Sequence, residues 1–310
     1  MNVDSLNGSE DSMMVSVILP TLNRAHILQK CIDSVLNQSY ENFELIICDD
    51  CSTDNTEEIA QQYSTKNKMI KYIKNLSRMG LPGNRNIGIQ NSEGEIIFFI
   101  EDDMVLDREC IKSLVRSLTE ILAKQIQIGG ITPALITNCD VGSNNIDLLN
   151  FSLKSAKNND KPCVIDELTG IRHYNFSTLF SKLEEVPDMH ACSMYFKKYI
   201  DFVGNYDDKN YKGNFLYEET DLNQRIKNLG LTYYFEPNAI LVHNIVSGGG
   251  CRVKKMSYRY YFILNHLKFV RKNYGTRSLL MAPSFLLLMS FVGLKILYFN
   301  FSNTPQVIGN

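Results

Sequence analysis

Phe43-Glu-Leu-Ile-Ile-Cys-Asp-Asp-Cys-Ser-Thr-Asp54 opens as an apolar run and closes in acids and small polar residues. Phe43 to Cys48 reads as a β-strand. Asp49 and Asp50 then stand at its carboxyl end. Ser52-Thr53-Asp54 offers helix N-caps, with Glu57 three residues after Asp54 in the spacing of a capping box. The helix that follows is expected to run to about Tyr63.

The same rhythm continues on both sides. Upstream, Val15-Ser-Val-Ile-Leu-Pro20 is a buried strand stopped by proline. A helix from about Ala25 to Asn37 follows, because Ile27, Leu28, Cys31, Ile32, Val35 and Leu36 fall on one face. Downstream, Met69 to Lys74 reads as a third strand and Gly80 to Gln90 as a loop leading into a short helix. Glu95 to Ile100 reads as a fourth strand, ending abruptly in Glu101-Asp102-Asp103. Strand and helix in alternation predict βαβ units and an α/β fold with an open, doubly wound, mostly parallel sheet flanked by helices. Ligands bind such sheets at the carboxyl ends of the strands. Three segments meet there: Pro20-Thr21-Leu22-Asn23, Asp49-Asp50 and Glu101-Asp102-Asp103.

Adjacent acids at a strand end repel one another and serve no packing purpose. A hard divalent cation, Mn2+ or Mg2+, takes such oxygen ligands together with substrate phosphates. It would neutralise a departing diphosphate. The alternative is a solvated acidic turn. Asp50 is placed to accept hydrogen bonds from a base or ribose, as an acid does in dinucleotide folds. A third acidic group, Glu218, Glu219 and Asp221, opens a helix expected over 216–229 and closed by Gly230. Any of the three is a candidate general base for an alcohol; the bland alternative is helix N-terminal acids complementing the dipole. Leu231 to Phe235 and Ala239 to His243 are expected as two short strands, and 137–185 as an irregular polar insertion.

The chain has 310 residues, 44% hydrophobic and 21% charged, an ordinary globular composition. Its charge is unevenly spread. Residues 1–236 hold all 34 acids against 23 Lys and Arg, a net of −11, whereas the rest carries nine Lys and Arg and no acid. Such asymmetry points to an acidic body and a tail facing an anionic surface; no nucleic-acid partner is expected. The eight cysteines are scattered. Cys48 and Cys51 have CxxC spacing, but no second pair completes a zinc site, so they are expected to be reduced thiols in a cytoplasmic setting. Residues 1–14 are polar and acidic, without the apolar core of a signal peptide, and are expected to be disordered.

Taken in order, these segments resemble family 2 glycosyltransferases, inverting enzymes of the GT-A fold. Val15 to Asn23 looks like the family's opening strand and nucleotide loop, and Asp49-Asp50-Cys51-Ser52-Thr53-Asp54 like its second-strand signature. Gly83-Asn-Arg-Asn-Ile-Gly88 is similar to its Arg-Asn-x-Gly segment. Glu101-Asp102-Asp103 stands where the family has its metal motif, and Glu218 to Arg225 resembles the motif that supplies the base. The resemblance covers about residues 15–245. It implies that Pro20, Thr21, Leu22, Asn23 and Asp50 hold the nucleoside and that Arg85 lies over the base or diphosphate. It implies Asp102 at the ribose or sugar, and Asp103 as a ligand to Mn2+ or Mg2+. Glu219 stands where the family usually has an Asp base, which leaves Glu218 and Asp221 as alternatives. His243 stands where a second metal ligand often lies. The donor would be a nucleotide-diphosphate sugar and the acceptor a glycan or lipid-linked hydroxyl. A nucleotidyltransferase of similar fold, or a non-catalytic sugar-nucleotide-binding protein, is the alternative.

Residues 246–310 form the basic and apolar tail. Ser247-Gly-Gly-Gly250 reads as a joint or lid, with Arg252 or Lys254 able to close on a diphosphate. Met256 to Tyr274 interleaves Lys and Arg with Tyr and Phe, as in an interfacial helix. Ser278 to Leu294 carries no charge over 17 residues, borderline for a membrane span. Basic residues beside that run would set the catalytic domain on the cytoplasmic face of the membrane. The alternatives are a buried helix pair or a dimer interface.

Overall fold

The computed structural model describes residues 13–138, 161–176, 180–244 and 255–302. Residues 1–12, the centre of the 137–185 insertion, Ser247–Gly250, Arg252 and Lys254 lie outside the described residues.

The chain begins with β1 (Val15–Thr21), α1 (Ala25–Leu36), β2 (Phe43–Asp49), α2 (Thr56–Lys66), β3 (Ile70–Lys74), α3 (Gly80–Gln90) and β4 (Ile96–Phe99). β1 pairs in parallel with both β2 and β4, and β2 with β3. β1 and β2 are buried along their whole length, as expected of strands covered on both faces. Their side chains alternate. Val15, Val17 and Leu19 meet α1 residues Leu28, Cys31, Ile32 and Val35 on one side, while Ile18 and Ile46 meet Ile89 of α3 on the other.

The later half adds short antiparallel pairings to the mostly parallel sheet. It comprises β5 (Met104–Leu106), α4 (Cys110–Ala123), β6 (Ile128–Asn138), the hairpin of β7 (Cys163–Ile165) and β8 (Arg172–Tyr174), β9 (Glu184–Val186), β10 (Met194–Phe196), α5 (Lys197–Phe202), α6 (Glu218–Lys227) and β11 (Thr232–Asn244). β10 inserts antiparallel between β4 and β6, β6 and β11 are parallel, and β5 and β9 pair antiparallel with β11. The main sheet order is β3-β2-β1-β4-β10-β6-β11-β5.

Three local readings change. Gly80–Gln90 is helical throughout: Pro82 falls in the first turn, where no N–H is required of it. The glycines of α3 instead serve close packing, since a Cβ on Gly88 would come 2.4 Å from Ile18 Cγ2. Asp54 forms no capping box with Glu57. Its carboxylate accepts from Thr56 N–H at 3.0 Å and from Ala25 N–H at 3.1 Å, tying the starts of α2 and α1 together. The two short strands expected at 231–243 are one strand, β11, with a register shift between Glu236 and Ile240 around Pro237.

The tail is a pair of helices, α7 (Lys255–Asn273) and α8 (Ser278–Ser302). A third core cluster joins them to the body: Phe262, Phe269, Val270, Met281 and Phe285 pack with Ile171, Tyr211 and Tyr217. Arg172 fastens the joint. It donates to Asp188 at 3.0 Å and to Tyr274 Oη at 3.0 Å, with the Phe269 ring 4.3 Å away. Met281, Phe285 and Val292 form the buried stripe of α8, whereas Leu279, Leu280, Leu286, Leu287 and Phe291 are exposed.

Candidate active site

A cleft opens at the carboxyl ends of β1, β2 and β4. Pro20, Thr21 and Leu22 form one wall, Asp50, Leu81 and Asn84 another, and Glu101, Asp102 and Asp103 the third, with Arg24 among them. Parallel pairing sets Thr21 beside Asp49 and Ile18 beside Phe99, so the loops after these strands converge.

The acids divide their tasks. Asp102 accepts from Thr21 Oγ1 at 2.8 Å. Burial pushes its carboxyl up to about 7, against the pull of Arg24. Asp103 faces the other way. The antiparallel register of β5 and β11 puts His243 opposite Met104, and Asn244 N–H bonds the Asp103 carbonyl at 2.9 Å. His243 Nε2 therefore lies 3.4 Å from Asp103 Oδ1. Burial works to raise the Asp103 carboxyl, but His243 and Arg24 outweigh it and hold it below the usual range. One ligand atom each from Glu101, Asp103 and His243 lies within 4.8 Å of the others.

This group fits a divalent cation of the Mn2+ or Mg2+ kind. It offers two hard carboxylates and an imidazole, and Asp103 Oδ1 is buried without a hydrogen-bond partner. Glu101 takes the place that spacing alone leaves open among the three acids.

Asp50 lines the cleft, but its carboxylate also shapes the loop before α3. It accepts from Met79 N–H at 2.6 Å, Gly80 N–H at 3.0 Å and Asn75 Nδ2 at 3.3 Å. Asn23 adopts a left-handed conformation, φ 52°, and turns its side chain to Thr53 N–H at 2.8 Å, outside the cleft wall. Arg85 is also absent from the cleft wall. It is wholly buried, in direct contact with Glu218, and 3.4 Å from Glu101.

Of the three acids on α6, only Glu219 is half-buried with no hydrogen bond to another side chain among those described. Its recess strips enough water to push the carboxyl up to about 7, despite the Arg85 charge. Glu218 is buried against Arg85: burial raises its carboxyl and the guanidinium pulls the other way. Asp221 is fully buried and fully occupied. It binds Arg225 at 2.9 Å, Lys272 at 2.9 Å and Asn273 Nδ2 at 2.8 Å. Those partners make Asp221 a clamp between α6 and α7.

Arg24 is the cleft residue that pattern reading overlooks. It is 5% exposed, 3.7 Å from Asp102 and from Asp103, and its Nε and Nη1 have no hydrogen-bond partner. Its only signal in the sequence is position, directly after the Pro20–Asn23 loop.

A mixed sheet with acids and a histidine gathered at its strand ends, beside a cleft of this kind, is the GT-A architecture. Two solved structures share it. The mannosyltransferase PcManGT of Pyrobaculum calidifontis, in complex with GDP-Man and Mn2+, aligns with TM-score 0.58 and 14% identity over 92% of this chain and 72% of its own. Staphylococcus aureus TarS 1-349, in complex with UDP-GlcNAc, aligns with TM-score 0.57 and 15% identity over 88% and 72%. Residues 16–203, more than half of the chain, match Glycosyl transferase family 2, and the chain belongs to that family. Among curated relatives, a GalNAc(5)-diNAcBac-PP-undecaprenol beta-1,3-glucosyltransferase of Campylobacter jejuni is 36% identical over 34% of this chain and 35% of its own length. The Escherichia coli glucosyltransferase WfgD, named for action on α-D-GlcNAc-diphosphoundecaprenol, is 38% identical over 30% and 36%. The alignments thus span about a third of each relative.

Proposed function

We propose that this chain is an inverting, divalent-cation-dependent glycosyltransferase that moves a sugar from a nucleotide-diphosphate donor to an acceptor hydroxyl. The observation that carries the reading is the Glu101, Asp103 and His243 group opening on the cleft of Pro20, Thr21, Leu22 and Asp50. Pro20 and Leu22 would flank the nucleoside and Asp102 the ribose or sugar. Arg24 has free N–H groups for the diphosphate. Glu101, Asp103 and His243 would hold Mn2+ or Mg2+, which neutralises the leaving diphosphate. Glu219 takes the acceptor's proton as the hydroxyl oxygen bonds to the anomeric carbon and the bond to the diphosphate oxygen breaks. Inversion follows from attack opposite the leaving group.

The acceptor is a glycan or lipid-linked sugar handled at the cytoplasmic face of a membrane. Two observations support this. The curated relatives named above act on undecaprenol-linked sugars. α8 presents five large apolar side chains to solvent, and its 275–292 stretch has mean hydropathy 1.4. Arg271 of α7 and Arg277 beside it are exposed and suit anionic headgroups.

The test is a panel of UDP-, GDP- and dTDP-sugars offered with lipid-linked and free glycan acceptors, with and without Mn2+, read by product mass. A product one sugar heavier, formed only with cation, is expected. Nucleotidyl transfer in place of sugar transfer would replace this reading.

A further inference from the structure

Arg85 is the largest fully buried side chain of the described residues, and it lies outside the cleft. Its surroundings make it a bridge. Nη1 contacts Glu218 Oε1 directly, and Nη2 lies 3.4 Å from Glu101 Oε1. The guanidinium lies against the rings of Phe99 and Tyr206, 5.8 and 5.3 Å from their centroids. These rings meet edge to face at 5.2 Å. Its Nε has no partner, and neither does Glu218 Oε2. The guanidinium is therefore strung between two carboxylates rather than enclosed by a saturated shell.

The two carboxylates belong to different halves of the site. Glu101 is one of the three groups gathered for a cation. Glu218 is the first residue of α6 and the neighbour of Glu219. The turn that delivers it is locally strained, with Tyr217 at φ 74° and Phe215 at φ 55°. We infer that Arg85 is a positioning residue that couples cation binding at Glu101 to the placement of the α6 N-terminus. This inference rests on the cation-site reading above. With Glu101 free, the guanidinium divides its attraction between Glu101 and Glu218. With Glu101 committed to a cation, it turns wholly to Glu218 and holds α6, and with it Glu219, in register. The base is thus seated when the donor's cation is in place.

Coupling of this kind is reciprocal. Disturbing Glu218, which does not line the cleft, must alter the affinity for the cation. Glu218→Gln keeps the shape and removes the charge, so Arg85 falls back on Glu101 and competes with the cation there. The measurement is Mn2+ binding to the full chain, with Mn2+ alone, followed by electron paramagnetic resonance. The Glu218→Gln variant should bind Mn2+ roughly five-fold or more weakly than wild type, the low end of ordinary coupling, and should melt below it, because the buried Arg85 loses a charged partner. The double variant Arg85→Met/Glu218→Gln replaces the buried pair by neutral groups, an exchange that cores tolerate. Freed of the competing charge, it should bind Mn2+ more tightly than wild type. This second variant decides the matter should Glu218→Gln fail to fold. Wild-type binding with equal affinity in Glu218→Gln overturns the coupling and leaves the cation site standing. A double variant that binds no more tightly than wild type overturns it equally. Absence of Mn2+ binding by the wild type overturns both.

Discussion

His243 Nε2 lies 3.4 Å from Asp103 Oδ1, and the register of two antiparallel strands brings it there. β5 is only three residues long. Its pairing with β11 joins the acid motif after β4 to a histidine near the end of the sheet. The same short strand turns Asp103 away from Asp102, so that adjacent carboxylates face different partners, His243 for one and Thr21 for the other. A structural acidic turn would have no use for this division.

Glu219 as the base gives a prediction with a sign. Glu219→Gln should lower transfer at saturating donor by roughly 10²–10⁴-fold, with donor affinity nearly unchanged. A base acts when deprotonated, so wild-type turnover should rise with pH through about 7, where burial places this carboxyl. Its folded-state pKa is raised above the unfolded value, so the wild type surrenders stability as pH climbs toward 7. The Gln variant should therefore melt above wild type at pH 8 and level with it at pH 4. Near-normal turnover in Glu219→Gln would remove it from the mechanism.

Asp221 should behave differently. Asp221→Asn removes a charge bound by Arg225, Lys272 and Asn273. Lost hydrogen bonds to a charged group predict a cost of about 1.5–3 kcal/mol, seen in chemical denaturation, while the turnover of the folded fraction stays within a few-fold of wild type. A stable but dead Asp221→Asn would contradict the clamp.

Asp50→Ala should weaken binding of the donor's nucleoside diphosphate in calorimetry and also lower the thermal midpoint. The same carboxylate accepts the Met79 and Gly80 N–H groups, which would be left unpaired at the start of α3. A lower midpoint with unchanged nucleotide affinity would confine Asp50 to loop support.

Truncation after Tyr274 removes α8 and keeps α7 with its clamp on Asp221. The shortened chain should leave the membrane fraction for the soluble one, and its remaining core should still melt cooperatively. Full-length chain found soluble and monomeric without detergent would mean that the exposed leucines of α8 do not face lipid.

The parallel half of the fold is legible in the sequence because its signals are local. β1, β2 and β4 are apolar runs that end in acids, and α1 shows a clear apolar face, of which Leu28, Cys31, Ile32 and Val35 are buried. α3 is harder to read, since Gly80, Pro82, Gly83 and Gly88 are helix-poor by propensity. They are favoured here by a first-turn position and by close approach to Ile18. The mixed half is set by which strands meet across long separations, and residue order carries little of that. The same limit hides Arg24 among the acids and turns Arg85 from a presumed cleft residue into a buried bridge. Charge pairing across the fold decides both.

The central claim is sugar transfer through a cation held by Asp103 and its neighbours. The most direct test is turnover of the wild type and Asp103→Asn with the preferred donor, first in EDTA and then with Mn2+ or Mg2+ restored. The account predicts no transfer by wild type in EDTA, full recovery on adding the cation, and no recovery in Asp103→Asn although it melts close to wild type. Undiminished transfer in excess chelator, or an Asp103→Asn variant that works normally, would contradict it.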